Sequence, residues 1–168
     1  GQSGKVGKVR TVKVWCYESW LMPPGPVADE PTPDGVDYDM WLGPAPWAPY
    51  TKDRCHWNFR WLFDYTGGML TDRGAHLLDG AQWGNNTERT GPVEVEGRGV
   101  FWGDGLYNTA KEYHIEYTYA DGVKLFVDSS EPSLRFEGAD GWIGNTGWRA
   151  PLEAEPASIL DSVIGPDD

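Results

Sequence analysis

Two side chains that could move a proton lie four residues apart in the segment GGMLTDRGAHLLDGAQW, residues 67–83. Asp72 and His76 would occupy the same side of a helix there, because residues four apart are separated by about one turn. A carboxylate next to an imidazole orients the ring and stabilises its protonated form, as in many general acid/base groups. The same spacing is also typical of an ordinary surface helix whose acidic first turn complements the helix dipole. The spacing alone leaves both interpretations open.

The pattern of this segment predicts a short amphipathic helix. Two glycines allow a tight path of the backbone, and Thr71 or Asp72 can cap the first turn. At roughly 100° per residue, polar side chains fall within one stripe and apolar ones on the other side. The stripe comprises Asp72, His76, Asp79 and Trp83, and the apolar side comprises Leu70, Leu77, Leu78 and Ala81. One side of the helix can therefore pack against the protein while the other faces a cleft.

A second group of candidate residues comes just before the helix, in HWNFRW, residues 56–61. His56 and Arg60 could bind hydroxyl groups of a ligand, and Trp57 or Trp61 could stack on the face of a sugar ring. The alternative is a structural role, in which the rings pack at the edge of the core and Arg60 pairs with an acidic side chain. The residue types do not separate these two roles.

Composition limits the classes of partner. The chain has 168 residues and a formal net charge of −12, which disfavours nucleic acid and anionic membrane surfaces as partners. No run approaches the roughly 20 apolar residues of a membrane span. Aromatic residues make up 14% of the chain and are typical of thick cores, interfaces and sugar-binding surfaces alike. Cys16 and Cys55 lack metal-ligand spacing, and we expect two free buried thiols, with one disulfide as the alternative.

Strand patterns dominate the remainder and predict an antiparallel sheet. Alternating or β-branched stretches cover residues 8–18, 93–102, 112–119, 123–128 and 134–137. Asp-Gly sequences in residues 120–122 and 138–141 predict hairpins between consecutive strands. In residues 112–119, polar side chains alternate with Tyr113, Ile115, Tyr117 and Tyr119, which makes one face of the strand aromatic. We expect another subunit to cover that face, and we expect His114 to lie on the sheet surface.

Shorter segments carry weaker signals. Residues 22–34 are rich in proline and acidic residues and predict a surface loop. Residues 37–42 can form one helical turn that begins at Asp37 and stops at Gly43, and residues 156–161 could begin another short helix. The sequence contains neither G-x-G-x-x-G nor G-x-x-x-x-G-K-[ST], so it shows no nucleotide-phosphate cradle.

The order of these motifs resembles the C-terminal domain of the glucose-fructose oxidoreductase and inositol dehydrogenase family, also called Gfo/Idh/MocA. The resemblance rests on the strand at residues 9–14 and on six segments that follow it in residues 37–143: DYDMWLGPAPWAPY, WNFRW, GGMLTDRGAHLLDGAQW, TGPVEVEG, YNTA and FEGADGWI. It extends over residues 7–165, nearly the whole chain.

This resemblance implies an α+β fold, with an open, mainly antiparallel sheet that has helices on one face and leaves the other available for a homodimer or tetramer. It implies that residues 1–168 are the substrate-binding and oligomerisation domain of a longer enzyme, without its N-terminal Rossmann domain and its final C-terminal segment. That Rossmann domain would bind NAD or NADP, and the complete enzyme would oxidise a hydroxyl of a sugar or cyclitol.

Carried onto this sequence, the resemblance implies that His76 is the catalytic acid/base and that Asp72 is its partner and a ligand of a substrate hydroxyl. The residues expected to contact the sugar or polyol are Arg60, Trp57, His56 and Asp79. Two alternatives remain. The chain could be a freestanding, non-catalytic binding or assembly module of that family, or a metal ion could bind to Asp72, His76, Asp79 and His56, which do not form a recognised ligand set. The compartment stays open between cytoplasmic and, after removal of a signal, periplasmic.

Overall fold

The computed structural model describes residues 4–16, 27–130 and 132–161. Seven strands form one sheet: β1 (Val9–Cys16), β2 (Glu94–Phe101), β3 (Ala110–Thr118), β4 (Lys124–Ser129), β5 (Ser133–Gly138), β6 (Trp142–Asn145) and β7 (Leu152–Glu155). Their order across the sheet is β2-β3-β4-β1-β5-β6-β7. Strand β1 runs parallel to β4 and antiparallel to β5, and the other neighbours pair antiparallel. The expected open, mainly antiparallel sheet of an α+β fold is confirmed.

The hairpins follow the turn chemistry of the sequence. In the β3–β4 turn, Gly122 N donates to Tyr119 O at 3.0 Å, and in the β5–β6 turn Gly138 N donates to Gly141 O at 2.8 Å. Both predicted hairpins are therefore confirmed. Strands β4 and β5 do not form a hairpin, because β1 lies between them and pairs with both. The two strands that were not predicted, β6 and β7, have only four residues each.

The helices are short. Helix α1 (Tyr38–Leu42) begins at Asp37, whose Oδ1 accepts a hydrogen bond from Met40 N at 3.0 Å, and it ends at Gly43 with φ +55°. Helix α2 spans Arg73–Gly84, and 3-10 turns cover His56–Trp61, Gly68–Leu70 and Ala157–Asp161. The predicted turn at 37–42 is thus confirmed, and the predicted helix at 156–161 is a 3-10 turn. No helix in the described ranges is long and apolar enough to cross a membrane.

Irregular segments separate these elements. Residues 27–34 form the predicted loop, whereas residues 17, 18 and 22–26, where strand and loop were predicted, lie outside the described residues. Cys16 and Cys55 are both buried free thiols, as expected.

The core lies between α2 and one face of the sheet. Leu77 and Ala81 of α2 are buried against the central strands, while His76, Asp79 and Trp83 are exposed. The predicted amphipathic division of the helix is therefore confirmed. Buried residues of this cluster are Val12, Val14, Cys16, Leu77, Ala81, Tyr113, Tyr119, Val123, Leu125 and Val127.

The aromatic face of β3 is the face on which α2 lies. Tyr113 and Tyr119 are buried in the same cluster as Leu77 and Ala81, and Ile115 and Tyr117 pack against it. Helix α2 therefore covers the part of this aromatic face around Tyr113 and Tyr119. Ile115 and Tyr117 also line a groove that α2 leaves open, and coverage of the face by a second subunit stays a prediction. The packing of α2 on this face was not predicted, because the alternation of a strand shows which residues share a face but not which element lies on that face.

The opposite face carries no helix in the described structure and is rich in charged side chains. The Nδ1 atom of His114 lies 2.5 Å from Asp128 Oδ1, and Lys13 Nζ lies 2.9 Å from Glu137 Oε1. His114 is half-exposed on this surface, as expected. Three partly buried aromatic rings also belong to this face: Trp15, Phe126 and Trp142. We refer to it below as the open face.

Candidate functional site

The backbone that leads into α2 is shaped by two glycines. Gly68 has φ +70°, and a Cβ atom there would lie 2.7 Å from Thr109 Oγ1, a fully buried atom. The Gly68 carbonyl accepts hydrogen bonds from the backbone amides of Thr71 at 3.2 Å and of Asp72 at 3.0 Å. Because a residue with a side chain would be strained at this φ and would collide with Thr109, glycine fixes where the helix begins.

Asp72 stands at the N-cap position of α2, but its side chain makes no capping bond. The predicted position is confirmed and the predicted capping bond is absent. Thr71 Oγ1 instead accepts a hydrogen bond from Gly67 N at 2.9 Å and donates one to Gly68 O at 3.3 Å. The Asp72 carboxylate is therefore left for contacts outside its own helix.

Arg60 binds that carboxylate. Its Nε donates to Asp72 Oδ2 at 3.1 Å, and its Nη1 donates to the Trp57 carbonyl at 2.7 Å. The guanidinium carbon lies 3.8 Å from the centroid of the Trp57 ring, within the range of a cation–π contact. The alternative role considered for Arg60, pairing with an acidic side chain, is thus present in the structure. The ion pair joins the 56–61 turn to the N-cap residue of α2.

His76 lies one helical turn beyond Asp72 and is exposed. The described structure contains no hydrogen bond between the two side chains, because the carboxylate faces Arg60. The nearest aromatic partner of the imidazole is Trp148, with ring centroids 5.9 Å apart at an interplanar angle of 68°. Sequence reasoning missed Trp148, since it lies in a loop between β6 and β7 and no spacing in the sequence connects that loop to α2.

The remaining predicted residues differ in their exposure to solvent. Trp57 is 60% exposed, His56 is exposed at the beginning of the same turn, and Asp79 is exposed on α2 beyond His76. Trp61 is 2% exposed and packs with Met69 and Tyr107. The suggestion that Trp61 stacks on a sugar is therefore wrong, because a ligand cannot reach its ring.

A groove of about 760 Å³ opens beside the site. It lies between the segment that precedes α2 and the uncovered part of β2 and β3, and Gly67 and Thr71 line it on one side. Asp72 follows Thr71 directly, although neither Asp72 nor His76 is among the lining residues. The candidate site is a row of side chains at the beginning of α2, outside this groove, and it runs from Trp57 through Arg60, Asp72 and His76 to Trp148.

The described residues do not assemble a metal centre. No group of three or more His, Cys, Asp or Glu side chains in ranges 4–16, 27–130 and 132–161 could hold an ion. The metal hypothesis for Asp72, His76, Asp79 and His56 is therefore not carried further. The row is better suited to hydrogen bonding and proton transfer, because it joins a carboxylate, a guanidinium and an exposed imidazole.

Comparison with known proteins identifies the family. The family described as "Oxidoreductase family, C-terminal alpha/beta domain", with the family name GFO_IDH_MocA_C2, matches residues 9–146. The chain therefore belongs to the Gfo/Idh/MocA oxidoreductase family and corresponds to its C-terminal domain. None of the curated proteins matches the chain significantly.

Solved structures with the same fold include several dehydrogenases. The WlbA dehydrogenase from Bordetella pertussis, in complex with NADH and UDP-GlcNAcA, is 12% identical with a TM-score of 0.54, and the match covers 90% of this chain and 39% of that one. Levoglucosan dehydrogenase, in complex with NADH and L-sorbose, is 13% identical with a TM-score of 0.54, covering 91% and 40%. An oxidoreductase domain protein from Kribbella flavida is 19% identical with a TM-score of 0.53, covering 85% and 34%.

These matches establish the fold. The chain spans about two fifths or less of the length of the structures that it resembles. The NADH and sugar ligands belong to those proteins.

Proposed function

We propose that this chain is the substrate-binding and oligomerisation domain of an NAD(P)-dependent oxidoreductase that oxidises a hydroxyl group of a sugar or cyclitol. The observation that carries the proposal is the row at the beginning of α2: an exposed imidazole lies one helical turn from a carboxylate that an arginine holds in place. Membership of an oxidoreductase family supports the reaction class.

His76 accepts the proton of the hydroxyl group that is oxidised. An alcohol must lose this proton as its carbon gives up hydride, and an imidazole can take it near neutral pH. Asp72 binds a hydroxyl group of the same substrate, because it lies one turn before His76 on the same side of α2. Arg60 orients the carboxylate, because its planar guanidinium is fixed between Asp72 and the Trp57 ring.

Polar and aromatic neighbours bind the rest of the substrate. Trp57 offers an exposed ring, and Asp79 and His56 offer exposed hydrogen-bonding groups. Sugars present both C–H faces and hydroxyl groups, and so they require this combination of an aromatic surface with a few polar side chains.

NAD or NADP, when bound, supplies the hydride acceptor. The sequence has no glycine-rich phosphate cradle, and the residues present fit the cofactor only as a neighbour: His76 is exposed on α2, where a ring carried by another domain can approach. An N-terminal Rossmann domain of the same polypeptide would carry it. Solved relatives of this fold that contain NADH are consistent with this arrangement.

The open face is the proposed oligomer interface. It has no helix over it in the described structure, and it displays Trp15, Phe126 and Trp142 among charged pairs. Aromatic rings surrounded by polar side chains are typical of interfaces between subunits.

A freestanding, non-catalytic binding or assembly module is the second candidate. The genomic reading frame separates the two: a Rossmann-coding stretch directly upstream supports the enzyme, and a start codon just before Val9 supports the module.

The test is to express the full-length protein and to screen sugars and inositols for the reduction of NAD or NADP. We expect His76→Ala to lower kcat by about 10²-fold or more. Glu88→Ala, a change at an exposed position after α2, serves as the control and should leave kcat unchanged. Unchanged turnover in His76→Ala would remove His76 from the mechanism.

A further inference from the structure

An indole ring lies beside His76 on a loop to which the proposed function gives no role. Trp148 belongs to the segment between β6 and β7, in a turn closed by a hydrogen bond from Ala150 N to Gly147 O at 3.1 Å. Asn145 fixes the turn: its Nδ2 donates to Gly147 O at 3.0 Å, and its Oδ1 accepts from Leu134 N at 2.8 Å. Trp148 is therefore held by a turn that is anchored to β5.

The indole contacts the polar side of α2. The edge-to-face geometry with His76 falls within the usual range for aromatic pairs, and the Arg73 guanidinium carbon lies 5.7 Å from the centroid of the indole. These contacts occupy one part of the ring. Because the residue remains 37% exposed, part of it is available to a ligand beside His76.

We infer that Trp148 is the surface on which the ring of a cyclic polyol stacks while one of its hydroxyl groups meets His76. This inference rests on the proposed function and adds a specificity-determining residue to it. The C–H face of a pyranose or cyclitol is flat and apolar, and it can cover an exposed indole without loss of its own hydroxyl hydrogen bonds. An open-chain polyol has no preformed face, and ordering it against the ring costs conformational entropy. The substrate class selected by Trp148 is therefore the ring form.

A structural role for Trp148 makes a different prediction. If the indole served only to hold the imidazole of His76, its loss would lower kcat and leave KM for the substrate unchanged. If it served only to cover α2, its loss would lower the melting temperature without separating ring substrates from open-chain ones. A stacking surface instead changes KM, and another aromatic ring can replace it.

The experiment compares Trp148→Ala, Trp148→Phe and the control Trp47→Ala in the full-length protein, with NAD or NADP and the ring polyols myo-inositol and D-glucose. Trp47 is a matched control because it is 76% exposed and lies in the loop after α1. We expect Trp148→Ala to raise KM for the ring substrate on the order of 10-fold, with kcat changed by less than about 3-fold. Trp148→Phe should restore KM to within about 3-fold of the unmodified protein. The inhibition constant of D-glucitol, an open-chain polyol, should be the same in all variants.

Three results would overturn the inference: an unchanged KM in Trp148→Ala, a fall in kcat alone, or an equal weakening of D-glucitol and the ring substrate. Failure of the proposed function is distinct, because then neither ring polyol reduces the cofactor, or His76→Ala turns over normally. In either of these cases the role of Trp148 falls as well.

Discussion

Asp72 and Arg60 show at the level of single residues how the candidate site is held. Asp72 is the residue directly before α2. Without the Arg60 guanidinium, no group of that helix would fix its carboxylate. The spacing of Asp72 and His76 in the sequence was sufficient to predict that they share one side of a helix. The Arg60 contact was one of two open alternatives, because residue types do not reveal which acid an arginine will meet.

The Arg60 pair can be tested by Arg60→Met, which keeps a long side chain and removes the charge. We expect kcat/KM for polyol oxidation in the full-length protein to fall on the order of 10-fold to 100-fold, because Asp72 loses the partner that orients it. Arg60→Lys should retain part of the activity, since it keeps the charge but not the planar stack on Trp57. Steady-state kinetics measure both, with exposed Arg89→Met as the control. Activity of Arg60→Met equal to that of the unmodified protein would contradict the positioning role.

Cys16 gives a prediction about pH. Burial raises the pKa of this thiol to about 11, from an ordinary value of 9.0, while a hydrogen bond with Tyr113 lowers it by a smaller amount. The folded state therefore binds the thiol proton more tightly than the unfolded state. The resulting stability is fully present below pH 9 and is lost as the pH rises toward 11.

Denaturant unfolding between pH 8 and pH 11 measures this effect. We expect the free energy of unfolding to decrease over that interval by about 2–3 kcal/mol more in the unmodified protein than in Cys16→Val. Valine suits this position because its neighbours along β1, Val12 and Val14, are also buried. Identical pH dependence in both proteins would show that Cys16 does not contribute.

The approach to α2 is the element on which the site depends. Periodicity predicted the helix, its exposed side and the position of its first residue, since these follow from local sequence. It did not predict that Gly84 brings the end of the helix against Phe136, where a Cβ atom would lie 2.3 Å from Cζ. The central place of β1 was also missed, because a parallel partner distant in sequence leaves no local pattern.

Gly68→Ala tests how firmly this approach is fixed. Alanine would adopt an unfavourable positive φ and would collide with Thr109, so we expect a loss of roughly 2–4 kcal/mol in the free energy of unfolding. Gly91→Ala is the matched control, because no atom lies within 4 Å of the added methyl group and that glycine has no positive φ. Thermal or denaturant unfolding measures both variants. Equal stability of the two would mean that the backbone before α2 can move freely.

The whole molecule has two sides, one with α2 and the candidate site and the other with the open face. The sequence placed an aromatic surface on β3 correctly but did not show that α2 covers part of it, because strand alternation carries no information about where a distant helix packs. The mainly antiparallel sheet itself was predictable, since its hairpin turns and strand patterns are local.

Assembly through the open face can be tested with Trp15→Glu. We expect the full-length protein to sediment as a dimer or tetramer and this variant to sediment at about half that mass or less, because a charge buried in an interface without a partner is costly. Trp47→Glu changes an exposed tryptophan elsewhere and should leave the mass unchanged. An unaltered mass for folded Trp15→Glu would place the interface somewhere else.

The most direct test of the central claim is a crystal structure of the full-length protein with reduced cofactor and a bound ring polyol. We predict that an imidazole nitrogen of His76 lies about 2.6–3.2 Å from the hydroxyl group on the carbon that faces the nicotinamide, or reaches it through one water. We also predict that the Asp72 carboxylate contacts a hydroxyl group of the same molecule. A polyol bound away from α2, with His76 in contact with solvent alone, would contradict the proposed mechanism.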